Sequence, residues 1–357
     1  MKEALHYKQG RHVSFRYELL DGRDIFKAHL KNVQPGGTVT MNASAQIKRT
    51  GRFVFRHDGD VNWETDKIKP YFVLHMPNGG TCEWPLGVLF MTTPGRSRRA
   101  GHIWHEAECY DKTVILEKDS SSSRPFIAAG TKYTDAISAQ LTSAGVTTTI
   151  ITESAHVLAA DREWELGTPK LTIIQTLLSE INYRNVYADA NGFFIIEPDV
   201  PATSRVADYL YKADQYSVIV DDQTTTERDS FDAPNVMIGI VSNPDVDEMV
   251  YICENMDPAS PISIPSRNGR RVVEKVKFDG IASQGELEIS TKKALTAATE
   301  RYETVRLSTA LMPHHEYDDL LMLESAAATG RYLETGWSMQ LQAGAQMKHT
   351  AKRLVVV

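Results

Sequence analysis

Hydrophobic and polar positions alternate through much of the first 120 residues, which is the pattern of strands with one covered face. In the segment 45–56, Ile47, Phe53 and Phe55 occupy odd positions, whereas the charged Lys48 occupies an even one. Side chains two positions apart in a strand point to the same face. The pattern therefore predicts a half-buried strand with Lys48 on its polar side.

Two short apolar runs, 71–76 and 87–92, are bounded by turn sequences at 58–59, 78–80 and 94–95. Short apolar runs between such turns suit a closed or doubly covered sheet. No long stretch with helical periodicity occurs in this part of the chain. We predict an all-β domain over residues 1–122.

The pattern changes after the polar segment 118–124, which contains four consecutive serines and is interpreted as a linker. Apolar residues then recur at helical spacing over 131–145 and again after Thr168-Pro169, an N-cap followed by proline. Asn191-Gly192 separates two apolar runs and indicates a hairpin. Residues 123–202 are predicted to form a small α/β domain.

Strand patterns return in the last part of the chain. The polar segment 201–228 is interpreted as an extended connection, and strands are predicted at 236–241 and 249–253. Apolar residues at helical spacing predict one inserted helix near 285–301. We predict a second β domain over 203–357.

One segment of that domain shows strict alternation. The apolar Trp337, Met339 and Leu341 should face the core, whereas the polar Ser338, Gln340 and Gln342 should face outwards. Together the segments predict a mainly β protein in which two β-barrel domains flank a small α/β domain.

Composition narrows the function classes. The chain has 357 residues, a net charge of −7 and three scattered cysteines, Cys82, Cys109 and Cys253. The charge argues against a protein held on nucleic acid by phosphate contacts, and the cysteines against a disulfide framework or structural zinc site. The sequence contains neither an apolar run of about 18 residues nor a leader-like N-terminus. We expect folding in a cytoplasm.

The sequence offers few candidates for catalysis or metal binding. Sequence motifs of nucleotide-binding proteins and of α/β-hydrolases are missing, and we predict no catalytic residue and no cofactor. Residues 101–109 contain His102 and His105, but their spacing of three would place them on opposite faces of a strand. Residues 313–319 (PHHEYDD) contain four kinds of side chain that can bind a cation: His, Glu, Tyr and Asp. Such a segment is nevertheless more often a loop exposed to solvent. We predict no metal, while ion binding near 313–319 stays open.

Several segments resemble phage tail and baseplate hub proteins, including the late control protein D type. The similar segments are IKRTGRFVFRHDGDVNWETDKIKPYFVL, EWPLGVLFMTTPGR, AECYDKTVILEKD, GTKYTDAISAQLTSAG, WELGTPKLTIIQTLLSEINYRNVYADANGFFIIEP, APNVMIGIV, ENMDPASPISIPSRNGRR and ALTAATERYETVRLSTALMPHHEYDDLL. They cover most of the chain, and INYRNVYADANGFFIIEP is the most specific of them.

The resemblance implies two tail-tube-like barrels per subunit and a non-enzymatic homotrimer forming a pseudo-sixfold ring. Such a ring would join the hexameric tail tube, or a distal tail protein, to a trimeric spike, tail-tip or fibre protein. It also implies contact with the tape measure protein, viral DNA passing through the lumen without specific binding during genome ejection, and no membrane. The protein would belong to the virion, at the baseplate or tail tip, after assembly in the host cytoplasm.

Two other functions stay open at this stage. A tail-tip enzyme that degrades peptidoglycan would need a catalytic constellation, which the sequence does not reveal. A carbohydrate- or receptor-binding module of the tail would use exposed aromatic or polar loops, which a β-rich chain can supply. The virus, the host and the type of tail cannot be read from the sequence.

Overall fold

The computed structural model describes residues 11–56, 60–92, 94–99, 101–214, 217–228, 232–243, 246–258, 260–278 and 283–356. Within these ranges strands predominate over helices, which confirms the predicted mainly β class. The chain divides into two compact units. Unit 1 comprises Met1–Thr224 and Leu307–Thr350, and unit 2 comprises Thr225–Arg306 and Ala351–Val357.

The first part of unit 1 is built from ten strands and one short helix. In chain order these are β1 (His12–Leu20), β2 (Phe26–His29), β3 (Asn32–Val33), β4 (Gly37–Asn42), β5 (Arg49–Arg56), β6 (Lys67–His75), β7 (Thr81–Pro85), β8 (Leu89–Met91), β9 (Gly95–Arg99), β10 (His102–Asp111) and α1 (Val114–Lys118). Phe53 and Phe55 on β5 are fully buried, as their alternation predicted.

Small α/β elements follow in unit 1. They are β11 (Phe126–Ile127), α2 (Tyr133–Ser143), β12 (Thr149–Ile151), β13 (Arg162–Glu163), α3 (Lys170–Glu180), β14 (Tyr187–Ala188) and β15 (Phe194–Ile196). Both helices and the hairpin at Asn191-Gly192 agree with the prediction, because β14 pairs antiparallel with β15. The helices pack on the sheet through buried side chains such as Ile137, Ile174 and Phe194.

The remaining elements are β16 (Tyr209–Lys212), β17 (Ile219–Arg228), β18 (Val236–Asn243), β19 (Val246–Glu254), β20 (Val273–Lys277), α4 (Gln284–Thr299), β21 (Glu300–Ala310), β22 (Leu320–Glu324), β23 (Thr329–Leu341) and β24 (Gln346–Val356). Strands β17, β21 and β24 run across the boundary between the units. The predicted helix near 285–301 is confirmed as α4.

Strand pairing links sequence-distant parts of unit 1. The main sheet follows the order β17-β21-β24-β23-β4-β5-β10-β8-β6-β1-β2. Residues 336–341 of β23 pair antiparallel with β4, and Trp337, Met339 and Leu341 are buried as predicted. Over the described ranges this order is an open path and no sheet closes on itself, which differs from the two closed barrels expected from the sequence.

Unit 2 contains a three-stranded sheet with one helix against it. Strand β18 is central, antiparallel to β19 and parallel to β20. Helix α4 lies so close to β18 that a Cβ atom added at Gly239 would come within 1.9 Å of Thr291 Oγ1. Glycine at position 239 therefore permits the close approach of helix and sheet.

Two local predictions are wrong. Lys48 is buried, not on a polar face, and its Nζ donates to the carbonyl oxygens of Ala43 and Ala45 at 2.6 and 2.7 Å. These carbonyls replace the water that the ammonium group loses on burial. The segment 201–228 is not merely an extended connection, because it contains β16, which pairs parallel with β22, and β17.

Candidate functional site

The loop formed by residues 313–319 lies between β21 and β22 in unit 1 and is largely packed against the protein. Pro313 and His315 are buried, and the other five residues are half-buried. The expectation of a solvated loop is therefore wrong. Burial of so many titratable groups in one short segment requires partners, and these partners define the site.

The centre of the site is a cluster of His315, Glu334 and His349, called the His–Glu–His cluster below. His315 Nδ1 lies 2.7 Å from Glu334 Oε2, and His349 Nδ1 lies 2.6 Å from Glu334 Oε1. The three side chains have no exposed surface. Each carboxylate oxygen thus faces one imidazole nitrogen.

The strands bring these residues together in an unexpected register. Glu334 lies on β23, where the buried positions are even-numbered at Tyr332 and Glu334 but odd-numbered from Trp337 onwards. Strand β23 pairs with β22 before this change and with β4 after it. The change of partner turns the Glu334 carboxylate into the core, where His349 on β24 reaches it.

Electrostatic attraction from the two histidines keeps the Glu334 carboxyl group ionised. Burial alone would raise the pKa of Glu334, but attraction and hydrogen bonds from His315 and His349 lower that pKa to about 2. Burial lowers the pKa of His349 below its ordinary value, and Glu334 opposes this effect. A carboxylate buried between two imidazoles is stable only if positive charge accompanies it.

The outer nitrogens of both histidines, their Nε2 atoms, also have hydrogen-bond partners. His315 Nε2 lies 2.5 Å from the Tyr211 hydroxyl, and His349 Nε2 lies 2.8 Å from Thr309 Oγ1. Asp319 Oδ2 lies 3.6 Å from His315 Nδ1. Burial raises the pKa of Asp319 to about 7, while His315 acts in the opposite direction.

This arrangement can exchange a proton or hold a cation, but it is closed to substrates. The three central side chains are completely covered, so that a substrate molecule does not contact their nitrogen and oxygen atoms in this structure. The cluster is therefore an internal site that influences the stability of unit 1. His315 is a candidate from the sequence alone, whereas Glu334 and His349, which lie 19 and 34 positions further along the chain, carry no local motif.

The rest of the 313–319 loop binds other parts of unit 1. Glu316 Oε1 accepts a hydrogen bond from the Ala190 amide at 2.8 Å, and Glu316 Oε2 forms an ion pair with Arg49. Asp318 forms ion pairs with Arg205 at 3.0 Å and with Arg184 at 3.5 Å. The loop thus connects segments from all three predicted domains.

The other sequence candidate, residues 101–109, forms most of strand β10. His102 is exposed and pairs with Arg99, whereas His105 is three positions away on the opposite face. The His105 ring lies 4.9 Å from the Trp63 ring and 5.9 Å from the Phe55 ring. The structure does not bring the two histidines together at one point.

Comparison with known proteins identifies the fold. A tail protein from Neisseria meningitidis MC58 matches with a TM-score of 0.62 and 10% identity, over 95% of this chain and 97% of that chain. The 43 kDa tail protein of prophage MuSo2 from Shewanella oneidensis matches with a TM-score of 0.60 and 9% identity, over 95% and 98%. The chain has the fold of phage tail proteins. This agrees with the hub resemblance seen in the sequence.

A similar fold also occurs in a chain of a PdpA-VgrG complex. A chain of the Francisella PdpA-VgrG complex matches with a TM-score of 0.56 and 10% identity, over 96% of this chain and 58% of that chain. No protein-family description matches the sequence, and no curated protein matches it. Among the described residues, no helix has both the length and the apolar character needed to cross a membrane.

Proposed function

We propose that this protein is a structural, non-enzymatic hub at the baseplate or tail tip of a phage or a phage-derived injection device. The observation that carries the proposal is the match to two phage tail proteins over 95% of this chain and nearly their whole length. A match of that extent indicates that the complete architecture, not one common β module, is shared.

In this proposal three copies form a pseudo-sixfold ring. Residues 1–122 and 203–357 supply two tube-like β modules per copy, and residues 123–202 form the α/β module beside them. Closed cyclic symmetry lets one surface patch be reused around a ring. One side of the ring would meet the tail tube or distal tail protein, and the other the spike, tail-tip or fibre protein.

The ring would enclose a channel. Viral DNA would pass through it during ejection without specific binding, and the tape measure protein would contact it before ejection. A net charge of −7 favours such passage, because an acidic protein does not retain polyanionic DNA by phosphate contacts. We propose a place in the virion after assembly in the host cytoplasm.

The decisive experiment measures the oligomeric state of the full chain. Light scattering across the micromolar range should report a trimer, and negative-stain images should show threefold particles with a central hole. If the chain is monomeric alone, the same measurements are repeated with the tail-tube protein from the same virus. A monomer under both conditions would contradict the hub.

Two further assays separate the alternatives. A peptidoglycan-degrading enzyme would clear a suspension of purified cell walls, whereas a hub would leave its turbidity unchanged. A carbohydrate-binding module would bind a glycan array as an isolated chain without forming rings. Either result, together with the absence of rings, would contradict the proposed hub function and favour the corresponding alternative.

A further inference from the structure

We propose that His315, Glu334 and His349 bind a divalent transition-metal ion, with zinc as the preferred probe. Their donor atoms lie within 4.8 Å of one another, and all three residues are buried. Two imidazole nitrogens and a carboxylate oxygen are ligands that zinc commonly takes in proteins. This inference is independent of the proposed hub function.

The outer contacts of the histidines orient their Nδ1 atoms for such a role. A metal-binding imidazole holds its proton on the nitrogen that faces away from the ion, and a fixed acceptor there sets the ring orientation. The Thr309 hydroxyl lies 2.7 Å from the Ala310 carbonyl, to which it can donate its only proton. Its oxygen can then accept from His349 Nε2, so that His349 Nδ1 can exchange the proton it shares with Glu334 Oε1 for an ion.

His315 has the matching arrangement. Its Nε2 lies 2.5 Å from the Tyr211 hydroxyl oxygen, which can accept the outer proton. Its Nδ1 faces the same carboxylate as the Nδ1 of His349. Two imidazoles that come from different parts of the fold thus present their inner nitrogens to one point.

A second carboxylate, that of Asp319, lies beside the cluster without being one of its three close donors. Its Oδ2 lies 3.6 Å from His315 Nδ1, and it also accepts a hydrogen bond from the Glu316 amide at 2.8 Å, which holds it in place. Two neutral imidazoles, two carboxylates and one divalent ion have zero net charge. A buried site with zero net charge avoids the cost of an uncompensated ion.

The donor spacing requires only a small adjustment. Ligands about 2.1 Å from a tetrahedral zinc ion lie ~3.4 Å apart. The separations from Glu334 to His315 and His349 are 2.7 and 2.6 Å, and one donor atom from each of the three residues lies within 4.8 Å of the others. Replacing the two inner protons with an ion would move the carboxylate and the rings apart by less than an ångström.

An ion here would hold separate strands together. Glu334 lies on β23, His349 on β24 and His315 in the 313–319 loop, and their outer partners Tyr211 and Thr309 lie on β16 and β21. Because the unfolded chain does not hold these ligands close together, ion binding would contribute directly to folding. This departs from the sequence-based prediction that the protein holds no metal, and it takes up the ion binding near 313–319 that the sequence left open.

The test uses the full chain, stripped with a strong chelator and then loaded with Zn²⁺ or Co²⁺. We expect one ion per chain by elemental analysis after desalting, and a Tm several degrees above that of the stripped protein, rising with free Zn²⁺. Bound Co²⁺ should give the intense visible absorption of a four-coordinate site. His349→Gln should lose the ion, whereas His102→Gln, a change at an exposed histidine on β10, should retain it.

The measurements of ion uptake and Tm on the wild-type protein test the proposed metal site even if His349→Gln fails to fold. A stripped protein that takes up neither ion, with an unchanged Tm, would overturn the proposal and leave a purely hydrogen-bonded cluster. A Co²⁺ spectrum of an octahedral, water-rich ion would also overturn it, because the buried site excludes water. So would a folded His349→Gln variant that still binds one ion per chain.

Discussion

Trp337 lies directly opposite Met41 in the antiparallel pairing of β23 with β4. Both side chains are buried, at 4% and 2% exposure. A strand near the start of the chain and a strand near its end therefore share one sheet and one core. Changes on either strand should affect unit 1 as a whole, and this can be tested with matched substitutions.

We first expect a sharp contrast between neighbouring positions of β23. Leu341→Asp would place an unpaired charge in the core and should cost several kcal/mol, leaving little soluble protein. Gln340→Asp, at an exposed position one residue away, should fold with a nearly unchanged Tm by circular dichroism. A tolerated Leu341→Asp with a damaging Gln340→Asp would show the register to be wrong by one residue.

A second prediction concerns a buried group of charges. Asp24 forms ion pairs with Lys67 at 2.8 Å and with Lys112 at 2.6 Å, and both lysine side chains are almost fully covered. Asp24→Asn would leave two buried ammonium groups without their carboxylate and should cost about 3–5 kcal/mol. Urea unfolding measures the loss, and Asp60→Asn, at an exposed position, is the control. A loss no greater than in the control would contradict the argument.

The third prediction concerns acid sensitivity of the metal-stripped protein. Burial lowers the pKa of His349, so the unfolded chain takes up this proton first and stability falls as the pH drops below about 6.5. The pKa of Glu334 is about 2, below its ordinary value of 4.5. The contribution of this carboxylate to the free energy of unfolding is therefore complete above pH 4.5 and is lost as the pH falls towards 2. Both effects therefore destabilise the fold on acidification.

Melting temperatures measured from pH 7 to pH 3 test this effect. Glu334→Gln should lower the Tm at pH 7, and the loss of stability below pH 4.5 that comes from the titrating carboxylate should be absent. Glu163→Gln, at an exposed position, should follow the wild-type curve. Parallel curves for Glu334→Gln and wild type would show that the cluster contributes nothing to acid sensitivity.

A fourth prediction follows from close packing at Gly51 on β5. A Cβ atom added there would lie 2.7 Å from Phe53 Cε2 and 2.9 Å from Leu89 Cδ1, two fully buried side chains. Gly51→Ala should cost about 1–3 kcal/mol through overpacking. Gly95→Ala, where no atom lies within 4 Å, should change the unfolding free energy little. Equal denaturation midpoints for the two variants would refute the packing argument.

Local sequence patterns were sufficient to predict individual helices, hairpins and strand faces. Helices α2 and α3 follow from helical spacing, although α3 is capped at Pro169 and not at Thr168, and the β14–β15 hairpin follows from Asn191-Gly192. The alternation in 337–341 correctly identified the buried face of β23. In each case the signal lies within about one dozen residues, so no knowledge of distant contacts is needed.

The candidate site could not be predicted because it depends on distant contacts. Extending the alternation backwards from Trp337 would place Glu334 on the polar face, since the change of strand partner is invisible in the sequence. His349 lies in a polar stretch with no motif spacing to His315. Lys48 was likewise misassigned, because its backbone partners are supplied by a local bend and not by charge pairing.

The pairing of β4 with β23 also has a consequence for synthesis. Residues 37–42 leave the ribosome long before residues 336–341, yet β4 has β23 as a neighbour on one edge in the finished sheet. During translation that edge of β4 remains unpaired until residues 336–341 have been synthesised. Contacts between residues so far apart in sequence form slowly. Elongation rate and chaperone supply should therefore govern how much of this protein reaches its native state in the cell that synthesises it.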